Sequence, residues 1–269
     1  MLTITTLASG SSGNSLLVSG GGTHILIDAG ISCRRITTAL EQLHIDPMSL
    51  SAVLVTHEHT DHVCGLATMV KKLPVPIYAS AGTAHQLSHR MGLPEERLFP
   101  FRAGSGFSVG PLRCTGFSTP HDAADSVGYT IELDGEKMAL ATDLGHVTDT
   151  VLRAVLGSQL VVLESNHDED WLRSGPYPYP LKQRILGDRG HLCNEAGAHF
   201  AAQAVQAGAH TVILAHLSRE NNTPARAYDV CFRHLSAMGV DPEHDIRLTV
   251  APRAECGKTY SVCREGSPC

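Results

Sequence analysis

The chain has no C-x-x-C pair and no zinc-knuckle spacing among its eight cysteines, Cys33, Cys64, Cys114, Cys193, Cys231, Cys256, Cys263 and Cys269. A secreted disulfide framework is therefore not expected at this size, and the thiols read as free. Only a Cys256–Cys263 pairing is left open. No window reaches 18 consecutive apolar residues, which argues against a membrane-spanning helix. The start, MLTITTLASGSSGNS, has neither a basic n-region nor a long apolar h-region, so it does not read as a signal peptide. These absences together suggest a cytoplasmic chain with no membrane partner. An excess of positive charge is also missing, with 21 Lys and Arg against 27 Asp and Glu for a formal charge of −6. That balance argues against coating nucleic acid through bulk charge. It leaves room for a local grip on a few phosphates, because bound cations can supply the positive field.

What is present is core material. Apolar residues make up 42% of 269 positions, enough for a substantial interior. Neither a repeat nor a long linker is visible, so residues 1–269 are expected to form one domain. Strands are expected at Leu2–Leu7, Ser15–Val18, His24–Ile27, Ala52–Val55 and Pro76–Ala79, with glycine-rich turns between the first three. Further strands are expected at Gly106–Val109, Leu112–Ser118, Val127–Leu133 and Lys137–Ala141, with Asp134-Gly135 as a hairpin turn. In the second half, Leu160–Leu163, Thr211–Leu214, Ile246–Val250 and Thr259–Val262 read as strands. Helices are expected at Arg34–Leu43, Ala81–Met91, Asp149–Leu156, Leu181–Leu186, Asn194–Gln206 and Pro224–Met238. Asn194 reads as lying near an N-cap, and Gly92 and Gly208 as helix stops. Strand-rich stretches alternating with helices imply two packed sheets with helices on the outer faces, an α/β sandwich of αββα type.

The most informative stretch is Val53-Leu54-Val55-Thr56-His57-Glu58-His59-Thr60-Asp61-His62. An apolar, β-branched run ends in Thr56, and four candidate ligands, His57, His59, Asp61 and His62, follow on a short loop. Imidazole and carboxylate suit zinc, manganese or iron without any thiolate. Asp61 and His62 are adjacent, so they do not easily serve the same ion as His57 and His59. The spacing therefore points to two ions side by side. A His-rich solvated loop is the bland alternative, since 16 histidines are available to scatter. It does not explain why all four ligands sit at the end of a buried strand.

A two-ion site needs further side chains, and three positions repeat the pattern of apolar strand followed by ligand. His121 follows Gly116–Pro120, Asp143 follows Met138–Thr142, and His216 follows Val212–Ala215. Singly, each is also compatible with a satisfied buried polar group. As a set, they complete the first motif.

On these residues the whole chain resembles the metallo-β-lactamase superfamily. The resemblance implies an αββα sandwich carrying a two-metal site on its edge, with two divalent ions, zinc or manganese. His57, His59 and His121 match the ligands of one ion. Asp61, His62 and His216 match those of the other, and Asp143 matches the bridge.

The fold hosts many chemistries, so function has to come from other residues. Gly190-His191 ahead of the helix near Asn194 resembles an element of the tRNA 3′-processing nuclease (RNase Z) group. In that group a histidine supported by a glutamate protonates the leaving oxygen, and His191 and Glu164 match the two. Leu192-Cys193 departs from the Ser-Thr of that group. The Ser/Gly loop Ala8–Ser15, with Ser11, Ser12 and Asn14, is a candidate phosphate cradle, although a plain β-turn fits it as well. Lys182, Arg184, Arg189, Ser218, Arg219 and Arg226 are candidates for gripping a nucleic-acid backbone, against the ordinary reading of a solvated face.

Leu7–Ser15, Glu164–Asp168, Gly190–Glu195 and Gly175–Lys182 together resemble the bacterial WalJ (YycJ) family of metal-dependent exonucleases. The resemblance implies 5′-to-3′ degradation of DNA, with no obligatory protein partner evident. His167 and Asp168 fall inside one of these motifs, and chemistry alone assigns them no role. No β-CASP domain is visible, which disfavours an RNase J-like function. The expected mechanism has two ions about 3.5–4 Å apart sharing a hydroxide, with Asp61 orienting it and His191 and Glu164 serving the leaving group. The alternative is a small-molecule hydrolase of the same fold, a glyoxalase II-type thioesterase or a lactonase, which would use the same ligands without needing the Glu164/His191 pair. A metal-stabilised binding protein is a third reading, but a purely structural site needs only four ligands.

Overall fold

A computed structural model describes residues 1–262. Cys263, one half of the pairing left open above, lies outside the described residues. The chain forms two mixed seven-stranded sheets. The first contains β1 (Leu2–Ala8), β2 (Ser15–Gly20), β3 (Thr23–Ile27), β4 (Leu50–Val55), β5 (Ile77–Ser80), β6 (Leu98–Phe101) and β14 (Thr259–Val262), with β14 at the edge beside β1. The second contains β7 (Gly106–Val109), β8 (Leu112–Ser118), β9 (Val127–Leu133), β10 (Glu136–Ala141), β11 (Leu160–Glu164), β12 (Thr211–Ala215) and β13 (Arg247–Val250). The helices are α1 (Cys33–Gln42), α2 (Thr60–Val63), α3 (Leu66–Lys72), α4 (Ala81–Met91), α5 (Asp149–Val155), α6 (Glu169–Ser174), α7 (Tyr179–Leu186), α8 (Asn194–Gln206) and α9 (Pro224–Ala237). No helix among the described residues is long and apolar enough to cross a membrane.

Alternating side chains of the sheets generate the layers. Leu2, Ile4, Val18, Ile25, Ile27 and Leu54 from the first sheet meet Tyr129, Ile131, Met138, Val162 and Ile213 from the second. On the outer face of the first sheet, Leu26, Val53, Val55 and Ile77 pack under Ile36, Leu40, Met69 and Leu87 of α1, α3 and α4. On the other outer face, Ala139, Val161, Leu163 and Val212 pack under Val151, Phe200, Ala201 and Leu235 of α5, α8 and α9. The order is helix, sheet, sheet, helix, as expected for the αββα class.

The strand directions position the site. β3, β4, β5 and β6 are parallel, as are β10, β11, β12 and β13. β8 is antiparallel to β9, which is antiparallel to β10, so β8 points the same way as β10. The C-terminal ends of these strands therefore share one rim in each sheet. The fully buried Tyr129 of β9 donates its hydroxyl to the Val55 carbonyl of β4 at 2.7 Å, and Val127 N–H donates to the Thr56 carbonyl at 3.0 Å. These two bonds tie the sheets together where the histidine motif begins.

Most expected elements are present within a residue or two, and the Asp134-Gly135 turn has φ of 50° and 82°, as a type I′ hairpin requires. Three features differ from expectation. β6 includes Pro100, which a ladder tolerates here because Leu98–Phe101 is an edge strand. α3 and α6 are short helices that the periodicity does not announce. The motif "loop" contains a helical turn, α2, that carries Asp61 and His62. Asn194 lies near the N-cap as expected: it is the first helical residue of α8, next to Cys193, which occupies the N-cap without a side-chain capping bond.

Candidate metal centre

Six strands each deliver one polar residue to the rim: Asp28 after β3, His57 after β4, His121 after β8, Asp143 after β10, Glu164 at the end of β11 and His216 after β12. Asp28, Asp143 and His216 adopt left-handed backbone, with φ of 64°, 59° and 58°. Asp and His enter this region more readily than bulkier residues, and it turns each chain sharply at its strand end. The loop Gly10–Asn14 and the turn at Gly30 pack against the histidine loop: Asn14 N–H donates to the Asp61 carbonyl and Gly30 N–H to the Asn14 carbonyl, both at 2.8 Å. A Cβ on Gly30 would lie 1.7 Å from the Asp61 carbonyl, so only glycine allows the histidine loop to approach this closely.

Four overlapping groups form in which the ligating atoms lie within 4.8 Å of one another: His57/His59/His121, His57/His62/Asp143, Asp61/His62/His216 and Asp143/Glu164/His191/His216. All seven side chains expected as ligands are thus gathered at one place. Asp143 Oδ2 is 3.5 Å from His62 Nε2, and its Oδ1 is 3.5 Å from His216 Nε2 and 3.8 Å from His121 Nε2. Asp61 Oδ2 is 3.5 Å from both His62 Nε2 and His216 Nε2.

Two independent observations show that cations fit here. First, His57 Nε2, His216 Nε2 and Asp143 Oδ2 are buried with no hydrogen-bond partner among the described residues. Leaving such atoms unpaired costs about 1–3 kcal/mol each. Second, the charge balance is strongly negative. Burial alone would lower His216, yet Asp143, Asp61 and Glu164 override it and push the imidazole up to about 10. Burial of His62 is likewise overridden by Asp143 and Asp28, which raise it well above its ordinary value. Protons on these rings stand in for positive charge that the carboxylates stabilise, and divalent cations would supply it with the rings neutral. His57, buried and hemmed in by other histidines, is held well below its ordinary value and is therefore a neutral donor.

A second layer orients the rings. Asp28 Oδ2 is 2.8 Å from His62 Nδ1, Glu164 Oε1 is 2.9 Å from His216 Nδ1, and Gly190 O is 3.2 Å from His121 Nδ1. Each contact occupies one ring nitrogen and directs the other inward, as metal-ligating histidines require. Asp28 is itself held by Thr56, which donates its N–H at 2.8 Å and its hydroxyl at 2.9 Å. Sequence reasoning misses Asp28, although its signal, a strand followed by a carboxylate, is the one that marks Asp143. It misses Asp122 as well. That residue's Oδ1 lies 3.4 Å from His121 Nε2, and its carboxylate is gripped by Arg184.

His191 stands at the edge of the cluster, 20% exposed, with Nδ1 2.8 Å from Glu164 Oε1. Burial disfavours ionised Glu164, but the imidazoles of His191 and His216 hold its carboxyl well below the usual range. Its other oxygen accepts from Leu144 N–H at 3.0 Å and Leu192 N–H at 3.2 Å. A cleft of about 230 Å³ opens over the cluster, lined by His59, Asp61, His191 and His216 with Ser11, Tyr177, Arg184 and Ser218.

The residues expected to grip substrate divide. Ser11 and Ser218 line the cleft. Ser12 is exposed beside Ser11 at the loop tip. Asn14 instead braces the ligand loop: its Nδ2 lies 3.3 Å from the Asp61 carbonyl and 3.1 Å from His62 Nε2. Lys182 donates to the Arg173 carbonyl at 2.7 Å, Arg219 is 80% exposed beside Glu220, and neither lines the cleft. Arg189 donates twice to the His121 carbonyl, at 2.9 and 2.6 Å, and so clamps the ligand-bearing loop. Asp168 caps α6 through Trp171 N–H at 2.9 Å and pairs with Arg226. His167 is buried, and neither ring nitrogen has a hydrogen-bond partner among the described residues.

A family model described as a beta-lactamase superfamily domain matches residues 23–217, which span every expected ligand. The chain belongs to the metallo-β-lactamase superfamily. Within this superfamily it is 38% identical over 217 residues to exodeoxyribonuclease YycJ of Bacillus anthracis, covering 80% of this chain and 82% of the relative. It is 36% identical over 242 residues to exodeoxyribonuclease WalJ of Streptococcus pneumoniae, covering 87% and 90%. These matches place it in the YycJ/WalJ branch of the metallo-β-lactamase proteins. Among solved structures, YhfI from Bacillus subtilis superposes with a TM-score of 0.72 over 96% of this chain and 98% of that one, at 16% identity. Human tRNase Z, short form, does so at 0.65 over 97% and 100%, also at 16% identity. The structural likenesses establish the fold alone. Membership in this branch makes the chain a hydrolase by class, and its clustered His and Asp residues a divalent-metal site.

Proposed function

We propose that this protein is a metal-dependent phosphodiesterase that removes nucleotides from the 5′ end of DNA. The observation that carries the reading is the buried Glu164 carboxylate 2.8 Å from His191, at the margin of the ligand cluster. Hydrolysis of a nucleic-acid phosphodiester expels a poor alkoxide leaving group that needs a proton, whereas thioester or lactone chemistry has less use for one. The relatives named exodeoxyribonucleases support the same choice.

His57, His59 and His121 would hold one cation, Asp61, His62 and His216 a second, with Asp143 shared between them; zinc or manganese suits this donor set. Bound divalent cations neutralise phosphate oxygens and make a water nucleophile accessible near neutral pH. The chain's own groups do the rest. Asp61 accepts a hydrogen bond from the attacking water and fixes its direction. Ser11 and Ser218 line the cleft where non-bridging phosphate oxygens would lie. Gly10, Gly13 and Asn14 N–H groups are already committed within the loop region, to Asn14 Oδ1, the Gly10 carbonyl and the Asp61 carbonyl. His191 delivers a proton to the departing oxygen, and Glu164 stabilises the charged imidazole from which it leaves.

The test is incubation of metal-loaded protein with 5′- and 3′-labelled DNA and RNA. Release of labelled mononucleotides from 5′-labelled DNA ahead of any 3′ label is expected. Metal-loaded protein that binds DNA without releasing nucleotides would sink the proposal.

A further inference from the structure

Ser218 lines the cleft two residues after His216, and all of its polar groups but one are engaged. Its N–H donates to the Asn166 carbonyl at 2.8 Å. Its carbonyl accepts from Arg253 Nη2 at 2.7 Å. Its Oγ accepts from the Asn221 N–H at 3.2 Å and, more weakly, from the Asn221 side-chain amide at 3.5 Å. A serine hydroxyl has two lone pairs and one proton to give. The lone pairs face Asn221, so the proton is turned away from it, and no acceptor takes that proton among the described residues. Ser218 is only 6% exposed, so the missing acceptor has to enter through the cleft that it lines.

Arg253 holds this donor in place. It lies in the connection between β13 and β14, beyond the residues 23–217 that the family model matches. Its Nη2 reaches the carbonyls at both ends of the Ser218 turn, Ser218 at 2.7 Å and Asn222 at 2.8 Å, so one nitrogen fixes the turn that carries the hydroxyl. The Ser11 loop comes up against the same backbone: a Cβ on Gly10 would lie 3.1 Å from the Leu217 carbonyl and 3.7 Å from Arg253 Cγ.

Charge decides what the hydroxyl meets. Arg184 and Arg226 each pair with an aspartate, Asp122 and Asp168. Arg253 has no carboxylate partner among the described residues, and its Nε is buried without a hydrogen bond. A half-buried guanidinium among neutral carbonyls is a positive charge with no counter-charge of its own. It stands directly behind Ser218, and a donor backed by positive charge favours an anionic acceptor over a neutral one. We infer that Ser218 donates a hydrogen bond to an anionic oxygen of the substrate, and that Arg253 is the positioning residue that holds this donor and biases it toward anions. That the anion is a phosphate rests on the phosphodiesterase reading; the unused proton and the unpaired guanidinium do not.

The probe is inorganic phosphate, titrated calorimetrically into metal-loaded protein at matched metal content. Ser218→Ala removes the hydroxyl alone and should weaken phosphate binding roughly 10- to 150-fold, the usual worth of a hydrogen bond to a charged group. Arg253→Met keeps the length of the side chain without its charge and should weaken binding by a comparable factor. Arg253→Lys should restore most of the loss. Because Arg253 acts through Ser218, the double variant Ser218→Ala/Arg253→Met should bind phosphate about as well as the weaker single variant. Unchanged phosphate affinity in Ser218→Ala, or losses that add in the double variant, would overturn the inference. So would an Arg253→Met protein that melts earlier yet binds phosphate normally, since that marks a structural clamp and nothing more. If phosphate binding follows both residues while the native protein cuts no DNA, the phosphodiesterase reading fails and the donor stands. DNA cutting with phosphate binding indifferent to Ser218 refutes the donor and leaves the phosphodiesterase reading intact.

Discussion

Replacing His191 with alanine separates a leaving-group acid from a merely structural histidine. The ring is 20% exposed and its partner Glu164 is fully buried, so their contact is not a solvent-screened surface pair of little worth. General acids of this kind contribute about 10²–10⁴-fold. At 1.36 kcal/mol per decade, that is about 3–5 kcal/mol of transition-state stabilisation. The substitution should remove that factor on DNA, whose departing oxygen needs a proton. It should cost only a few-fold on bis(p-nitrophenyl) phosphate, whose phenolate leaves unaided. Metal content per chain should stay the same. His121 keeps its contact with the Gly190 carbonyl at 3.2 Å, and His216 keeps Glu164 at 2.9 Å. Steady-state kinetics on both substrates, with metal analysis of each preparation, provide the assay. Equal losses on the two substrates at full metal content would refute the acid role, and so would an undiminished rate on DNA.

Asp28→Asn should weaken cation binding about 10- to 100-fold, the usual cost of removing a carboxylate behind a ligating histidine; competition against a chromogenic chelator reads it, and an unchanged affinity would contradict the orienting role. Gly30→Ala places a Cβ 1.7 Å from the Asp61 carbonyl, so thermal stability and metal affinity should fall together; a variant normal in both would show that the loop shifts at no cost. Stripping the cations should lower Tm by several degrees, because ligand at 100 times its Kd stabilises the folded state by about 2.7 kcal/mol; a melting curve indifferent to chelator would argue against the site. Asn222→Ala removes donation to the Ser165 and Asn166 carbonyls at 2.9 and 3.1 Å and to Asn194 Oδ1 at 2.8 Å. Urea unfolding should register a loss of about 1–3 kcal/mol for each group left unpaired.

The pattern of apolar, β-branched runs bounded by turn residues makes most of the fold legible, because the central strands are buried on both faces. It fails where length or composition hides the signal. Leu98–Phe101 carries a proline, which only an edge position permits, and edge position is a property of the assembled sheet. α3 and α6, of 7 and 6 residues, are too short for a helical period to stand out. Four of the expected ligands, His57, His121, Asp143 and His216, are readable because each follows an apolar strand, and strands running the same way bring such ends to one rim. Asp28 obeys the same rule, yet the Gly30 turn after it looks like any loop. Its role depends on His62, 34 residues away, and spacing along the chain does not contain that contact. Basic residues mislead for a related reason. Lys182 and Arg189 look like a phosphate grip in sequence, but both are committed to backbone carbonyls.

Glu164 explains why the Leu192-Cys193 departure from the nuclease pattern is tolerable. One of its oxygens serves both His191 and His216, at 2.8 and 2.9 Å. The other accepts the N–H groups of Leu144 and Leu192. The contribution of position 192 is therefore a backbone donor, which leucine supplies as well as serine, while its side chain is buried with Ala198 and Leu217 in the helix layer. At position 193 a serine or threonine would cap α8, and cysteine forgoes that bond. The forfeited cap amounts to about 0.5–2 kcal/mol of stability and touches no reacting group. Because a single buried carboxylate links His191, the proposed proton donor, to His216, a proposed cation ligand, changes at His191, Glu164 and His216 should not add. Glu164→Gln would place an amide donor or a neutral oxygen against two imidazoles, so it should impair both cation binding and proton delivery, beyond what losing either histidine contact alone would cost.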